Sequence, residues 1–182
     1  MRAMVPLAEG FEEIEAVTII DILRRAHIDV TVAGVGGIRP SGSHGISVAC
    51  DAPIEACQDE HYDAIVLPGG PGTRRLRESP EIIAAVTQSA LRGAIVAAIC
   101  AAPIVLDACG LLKGKRATSH PDQAPEMKSC TYVEEDVVED GNIITSRGAG
   151  TSIAFAAAVV KRLAGEDAAR DILARIQYRS GA

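Results

Sequence analysis

The chain has 182 residues, 48% of them hydrophobic and only 3% aromatic, with no tryptophan. A chain of this length removes roughly 70% of its unfolded surface from water, so one domain over 1–182, with a core of Ala, Val, Ile and Leu, is expected. The formal net charge is −6 and no long basic run occurs, which argues against nucleic acid as a partner bound by charge attraction.

The cysteines argue against two common classes of small protein. There are 5 of them, with no C-x-x-C pair and no histidine at zinc-ligand spacing, so neither a disulfide scaffold nor a structural metal site is indicated. We expect free thiols, no metal and no cofactor. No stretch approaches the roughly 18 apolar residues that cross a bilayer, and the N-terminus begins as a strand rather than a signal peptide. A cytoplasmic protein without a membrane partner is therefore expected.

The first third of the chain has the pattern of a β-α-β unit. Apolar runs predict strands at 3–7 and 29–33, and an apolar side predicts a helix over 12–26 between them. Glu15 lies near the start of this helix, just after a strand end, where open α/β sheets place their ligands. Two interpretations stay open for its carboxylate: a site residue, or a favourable charge at a helix N-terminus.

Residues 34–45 are predicted to form a glycine-rich loop with His44 at its end. Short extended segments at 46–50 and 53–54 predict a hairpin or an addition to the sheet edge. Cys57 follows in a polar stretch and is interpreted as an ordinary surface or half-buried thiol.

A strong central strand is predicted at 64–68, and it runs directly into Gly69 and Gly70. Backbone N–H groups of such turns can bind an anion or oxyanion. The spacing matches neither a P-loop nor G-x-G-x-x-G, so an ordinary glycine turn is the alternative. A crossover helix over 80–91 then leads to the next strand.

That strand, at 94–99, is apolar on both faces and ends at Cys100. A helical pattern follows at once from 101 and closes at Gly110. A nucleophile at such a strand-turn-helix junction lies at the top of the sheet and next to the positive end of a helix, which favours the thiolate. The alternative is a small buried hydrophobic residue at the end of a core strand.

The last part of the chain brings another histidine to a strand exit. His120 follows a brief strand at 116–119, and a lone histidine there has either a structural or a catalytic role. The remaining predicted elements are a polar helix at 122–130, strands at 132–138 and 143–145, and helices at 152–163 and 167–177.

Taken together, the motifs resemble the ThiJ/PfpI superfamily, in the branch of the parkinsonism-associated protein deglycase and its bacterial relatives. The resemblance rests on the segments 12–16, 67–70, 97–103, 119–121 and 145–152. It implies a flavodoxin-like α/β fold, a three-layer sandwich with a mostly parallel sheet, and a homodimer. It also implies that Cys100 is the nucleophile, Glu15 a helix-borne acid and His120 a nearby assisting residue.

The resemblance implies a cofactor-independent enzyme that acts on α-oxoaldehydes such as methylglyoxal, or on their early adducts with proteins. Amides near Gly69, Gly70 and Ala101 would hold the developing oxyanion. A redox sensor or redox-regulated chaperone that works through oxidation of Cys100 is the alternative, and a protease-like hydrolase is a weaker third option.

Three departures from the family pattern affect the expected substrate contacts. The loop after Gly70 is one residue shorter than usual, and Ala149 replaces a common proline. His44 stands where some relatives carry an arginine that reaches towards the site near the dimer interface, so it is a candidate substrate contact.

Overall fold

A computed structural model of the chain describes residues 1–179. Its strands are β1 (Arg2–Ala8), β2 (Asp29–Val35), β3 (Ala52–Pro53), β4 (Ala64–Leu67), β5 (Ile95–Ile99), β6 (Arg116–Ala117), β7 (Thr131–Tyr132), β8 (Val137–Asp140) and β9 (Ile143–Ser146). A seven-stranded sheet has the order β3-β2-β1-β4-β5-β9-β8. All its pairings are parallel except β8 with β9, so the predicted mostly parallel sheet is confirmed.

The helices are α1 (Glu13–Arg25), α2 (Thr73–Glu78), α3 (Pro80–Leu91), α4 (Pro103–Ala108), α5 (Ser152–Ala164) and α6 (Glu166–Arg175). Side chains of α1, α5 and α6 share one buried cluster with one face of the sheet, and side chains of α2, α3 and α4 share a second cluster with the other face. The predicted three-layer sandwich is therefore confirmed. None of the helices within residues 1–179 is long and apolar enough to cross a membrane.

The strand β5 explains why the sheet is covered on both faces. All its residues are buried, with Ile95, Ala97 and Ile99 in one cluster and Val96 and Ala98 in the other. A strand that is apolar at every position is stable only between two layers of helices.

The strand order reverses direction at β1, which lies between β2 and β4. The chain leaves β1 towards α1 on one side, and it leaves β4 and β5 towards α2 and α4 on the other. Open α/β sheets bind their ligands at such a switch point, outside the carboxyl ends of the strands. The switch point brings the start of α1 near the turns that follow β4 and β5.

Several predicted elements differ from the structure. The segment 46–50 is no strand and contributes only an isolated bridge between Ser41 and Ser47, while the edge addition is made by β3, parallel to β2. The predicted strand 132–138 is split, because β7 pairs with β6 outside the main sheet. The polar helix at 122–130 is a 3₁₀ helix over Pro121–Glu126 that contains Pro125, a residue without the N–H that a regular helix needs.

Two further differences concern α2 and Cys57. The helix α2 was not predicted, because six residues give too short a pattern to separate from a loop. Cys57 is only 5% exposed, so the interpretation as a surface or half-buried thiol is wrong.

Candidate active site

Cys100 lies directly after β5, at the predicted turn. Its φ angle is 62°, in the left-handed region that residues other than glycine rarely adopt. Two backbone hydrogen bonds hold it there: its N–H donates to the Ser146 carbonyl at 2.9 Å, and its carbonyl accepts from the His120 N–H at 2.8 Å. Strained backbone fixed by its surroundings is typical of functional sites, and this geometry is that of a nucleophile elbow.

Glu15 is completely buried, at 0% exposure, in the first turn of α1. Its Oε2 accepts a hydrogen bond from the Gly69 N–H at 2.7 Å. Its Oε1 is buried without a hydrogen-bond partner in the described part of the chain. Burial raises the pKa of Glu15 to about 7, although the Gly69 amide and Cys100 act in the opposite direction.

Gly69 is the point where the turn after β4, the elbow and α1 meet. A Cβ atom on Gly69 would lie 2.8 Å from the Cβ of Cys100, 2.9 Å from the Ala101 nitrogen and 2.9 Å from Oε2 of Glu15. No side chain fits there, because real Cβ contacts are longer. The absence of a side chain allows the carboxyl group and the cysteine to approach each other.

Glu15 and Cys100 together favour a single negative charge. The pKa of the Cys100 thiol is raised, first by burial and then by the neighbouring Glu15, while the amides of Ala101 and Gly70 lower it. The positive end of α4 therefore does not by itself produce a thiolate. Since two adjacent anions repel, the pair shares one proton, and the thiolate forms when Glu15 holds it.

The predicted oxyanion amides have different roles in the structure. The N–H groups of Gly70 and Ala101 face the sulfur and stabilise its negative charge. The N–H of Gly69 is occupied by Glu15. Two donors at the sulfur, rather than three, are thus available to a developing oxyanion.

The ring of His120 lies near the sulfur of Cys100, on the side where Gly148 packs. A Cβ on Gly148 would lie 3.7 Å from Cδ2 of His120 and 4.0 Å from Sγ of Cys100. Nδ1 of His120 accepts from the Asp122 N–H at 3.3 Å, so in the neutral ring the proton is on Nε2. No hydrogen bond joins the side chains of His120 and Cys100 within residues 1–179.

His44 does not contact these groups within the described chain; it pairs with α1 instead. Its Nδ1 lies 3.0 Å from Oε2 of Glu13, and its N–H donates to Oε1 at 2.5 Å. Burial would raise the pKa of Glu13, but the hydrogen bonds from His44 and Ile46 outweigh it and lower the pKa to about 2. The His44 side chain is 75% exposed.

Glu12, Glu13 and His44 place ligand atoms within 4.8 Å of one another, a spacing that could hold a metal ion. Hydrogen bonds already account for this cluster. Glu13 accepts from the loop that carries His44, and Glu12 accepts from the Glu15 N–H at 2.7 Å and so caps α1.

Sequence reasoning missed the side chains that flank the elbow on α2. A cavity of about 280 Å³ beside Gly70 and Ala101 is also lined by Thr73 and Arg74. The only sequence signal for these side chains was the run of basic residues within α2. This run ends just before Ser79, the residue that caps α3. A second cavity, of about 350 Å³, lies next to His120 and Gly148.

A cysteine at a strained strand-turn-helix junction, with a buried glutamate on the first helix, defines a class of α/β proteins with a cysteine elbow at the carboxyl edge of the sheet. The chain belongs to the DJ-1/PfpI family, whose model matches residues 1–162. It is 41% identical over 179 residues to the zebrafish (Danio rerio) Parkinson disease protein 7 homolog, covering 95% of both chains.

Two further relatives and a solved structure show which branch of the family the chain is similar to. The chain is 32% identical over 167 residues to the glutathione-independent glyoxalase DJR-1.2 of Caenorhabditis elegans, covering 91% of this chain and 89% of the relative. It is 39% identical to protein DJ-1 homolog B of Arabidopsis thaliana and covers 91% of itself but only 39% of that longer protein. The crystal structure of Drosophila melanogaster DJ-1beta has a TM-score of 0.95 at 37% identity, with 98% of each chain covered. The chain is thus of the DJ-1 type.

Proposed function

We propose that this protein is a cofactor-independent cysteine enzyme that converts α-oxoaldehydes, such as methylglyoxal and glyoxal, or their early adducts with protein amines and thiols, to hydroxy acids. The observation that carries the proposal is the completely buried Glu15 beside Cys100, since a Cβ on Gly69 would lie 2.8 Å from the Cβ of Cys100 and 2.9 Å from Oε2 of Glu15. Such a pair supplies a nucleophile and a general acid-base in one place. The similarity to a protein named as a glutathione-independent glyoxalase supports this choice of substrate.

The proposed first step joins the sulfur to the aldehyde carbon. The thiolate of Cys100 attacks, the electron pair of the C=O bond moves to oxygen, and Glu15 gives this oxygen its proton. The product is a hemithioacetal. The amides of Gly70 and Ala101, which face the sulfur, stabilise the oxyanion while it develops.

The following steps return the site to its starting state. The Glu15 carboxylate removes the hydrogen of the former aldehyde carbon, and the resulting enediol is protonated at the neighbouring carbon to give a thioester of lactate. Water cleaves the thioester, releasing lactate and the Cys100 thiol. One methylglyoxal and one water thereby become lactate and a proton, and no redox partner is consumed. His120, half-exposed beside the sulfur, orients the substrate.

The test follows methylglyoxal loss and lactate formation without glutathione, in wild type, Cys100→Ser and Glu15→Gln. We expect saturable lactate production in wild type, none in Cys100→Ser and a rate lower by about 100-fold or more in Glu15→Gln, the usual loss of a general acid-base. Lactate formation that persists in Cys100→Ser would refute the mechanism. A glycated peptide in place of methylglyoxal distinguishes action on adducts from action on the free aldehyde.

A redox sensor or redox-regulated chaperone is the second candidate, and it rests on the same sulfur. Cys100 is partly exposed, and two amides and the Glu15 carboxyl surround it. Peroxide would convert the thiolate to a sulfenate and then to a sulfinate, releasing one water each time. No turnover of oxoaldehydes, together with selective oxidation of Cys100 that changes protein binding, would favour this candidate.

We further infer a homodimer, with α1 in the interface. Ile14 is 59% exposed and Val17 48% exposed on this helix, and Ile46 on the adjoining loop is 58% exposed. The N–H of Ile46 lies 3.4 Å from the carboxylate of Glu13, which places the loop beside the start of α1. Exposed large apolar side chains that lie together are typical of interaction surfaces.

A further inference from the structure

The cavity of about 280 Å³ beside the elbow, here called the Arg74 cavity, is lined by Gly70, Ala101, Thr73, Arg74, Arg77 and Glu126, among others. It begins at the two residues whose amides face the sulfur of Cys100. A substrate attached to Cys100 through its aldehyde carbon therefore has room for its remaining substituent there.

The charge of this cavity is positive, although the chain carries a net charge of −6. Arg77 and Glu126 neutralise each other through an ion pair of 2.9 Å. Arg74 is exposed and has no ion-pair partner among residues 1–179. One uncompensated guanidinium thus lines the space next to the nucleophile, where it can bind an anionic group by charge-assisted hydrogen bonds.

A second observation in the same cavity points to a polar ligand. Thr73 is only 3% exposed, and its hydroxyl is buried without a hydrogen-bond partner in the described residues. An unpaired buried hydroxyl is unfavourable. A bound oxyanion beside Arg74 would give Thr73, after rotation of its side chain, the acceptor that the protein itself does not supply.

We propose that the Arg74 cavity selects α-oxoaldehydes that carry a carboxylate a few bonds away from the aldehyde. This inference rests on the proposed function and narrows its substrate class. A carboxylate fits better than a phosphate, because a single unpaired arginine balances one negative charge. The reaction steps are unchanged, so 4,5-dioxopentanoate and one water would give 2-hydroxyglutarate and a proton.

The first experiment compares kcat/KM for 4,5-dioxopentanoate and for its uncharged methyl ester. We expect wild type to prefer the acid by about tenfold, the effect of one charge-assisted hydrogen bond. Arg74→Gln abolishes the preference, because it slows the acid much more than the ester. Arg75→Gln is the matched control, because Arg75 lies next in α2 and does not line the Arg74 cavity. An equal preference in wild type and Arg74→Gln overturns the proposal.

A second experiment needs no turnover and separates the two proposals. Iodoacetate and iodoacetamide have nearly the same shape and differ by one negative charge, and both alkylate the thiolate with loss of iodide. Their relative rates at Cys100 are measured by mass spectrometry of its peptide. We expect Arg74→Gln, but not Arg75→Gln, to lower the iodoacetate to iodoacetamide ratio several-fold. If the ratio falls in Arg74→Gln while wild type consumes no oxoaldehyde, the enzyme proposal fails and the anion site stands. An unchanged ratio in Arg74→Gln overturns the anion site.

Discussion

The proton shared by Glu15 and Cys100 sets how the reactivity of the thiol depends on pH. In wild type the pair loses its first proton near the Glu15 pKa of about 7, while burial and the neighbouring Glu15 raise the pKa of the thiol. In Glu15→Gln the ionisation near pH 7 is absent, and only the thiol can ionise. We predict that the pH profile of Cys100 alkylation by iodoacetamide has an inflection near pH 7 in wild type and that Glu15→Gln lacks this inflection. The same inflection in both proteins would contradict the coupling of the two groups.

The same ionisation predicts a pH-dependent stability. The pKa of Glu15 is raised from 4.5 to about 7, so its contribution to folding is fully present below pH 4.5 and is lost as the pH rises to about 7. The shift corresponds to about 3 kcal/mol. Glu15→Gln therefore gains free energy of unfolding, relative to wild type, between pH 5 and pH 8. Chemical denaturation of both proteins at the two pH values measures this difference, and a constant difference would contradict the prediction.

Two glycines that look alike in the sequence have different structural requirements. A Cβ on Gly69 would lie 2.8 Å from that of Cys100, whereas a Cβ on Gly150 would meet nothing within 4 Å. We predict that Gly69→Ala lowers the free energy of unfolding by about 1–3 kcal/mol, the usual effect of overpacking, and abolishes lactate formation. Gly150→Ala is the control and leaves both unchanged. If Gly69→Ala and Gly150→Ala had the same free energy of unfolding and the same rate of lactate formation, the close contacts at Gly69 would not exclude a side chain.

At the level of elements, the carboxylate of Glu13 fixes the loop that contains His44 to the start of α1. It accepts hydrogen bonds from the N–H groups of His44 and Ile46 and from Ser43 Oγ, and Gly42 packs directly against it. We predict that Glu13→Gln lowers the Tm at pH 7 by about 2–4 °C, the shift expected for about 1 kcal/mol in a domain of this size.

Because the pKa of Glu13 is low, the difference in Tm between wild type and Glu13→Gln should depend on pH. Because the pKa is lowered from 4.5 to about 2, the stabilisation is present above pH 4.5 and is lost as the pH falls towards 2. The difference in Tm between wild type and Glu13→Gln therefore shrinks over this range in differential scanning calorimetry. A difference that does not depend on pH would contradict the role of the charged carboxylate.

Strong hydrophobic patterns made most elements predictable, and tertiary contacts decided the rest. The strand β5 and the helix α1 follow from apolar runs and periodicity, since burial alone fixes them. The helix α2 and the strand β7 are short, and their conformation depends on neighbours that are distant in the sequence. The position of Cys100 at the turn was predictable from its strand and helix, whereas the pairing of His44 with Glu13 required the fold.

At the scale of the whole molecule, the parallel topology explains why the site could be placed before the structure was known. Gly70 and Cys100 both follow strands whose carboxyl ends share one edge, so the sequence already indicated their proximity. The balance between burial, amides and a neighbouring acid was not predictable, because it depends on the close contacts around Gly69. The sequence therefore suggested a thiolate beside a protonated Glu15, but not the burial that raises the pKa of both groups.

The exposed apolar side chains of α1 allow a direct test of whether this helix forms the dimer interface. In the proposed dimer Val17 is covered by the second copy, so Val17→Asp places an unpaired charge in the interface and raises the dissociation constant about 100-fold or more. Leu91→Asp is the matched control, since Leu91 is 82% exposed at the end of α3, a helix on the opposite face of the sheet. We expect light scattering to give twice the chain mass for wild type and Leu91→Asp, and the mass of one chain for Val17→Asp at micromolar concentration. A monomeric wild type, or a Val17→Asp variant that stays dimeric, would exclude α1 as the interface.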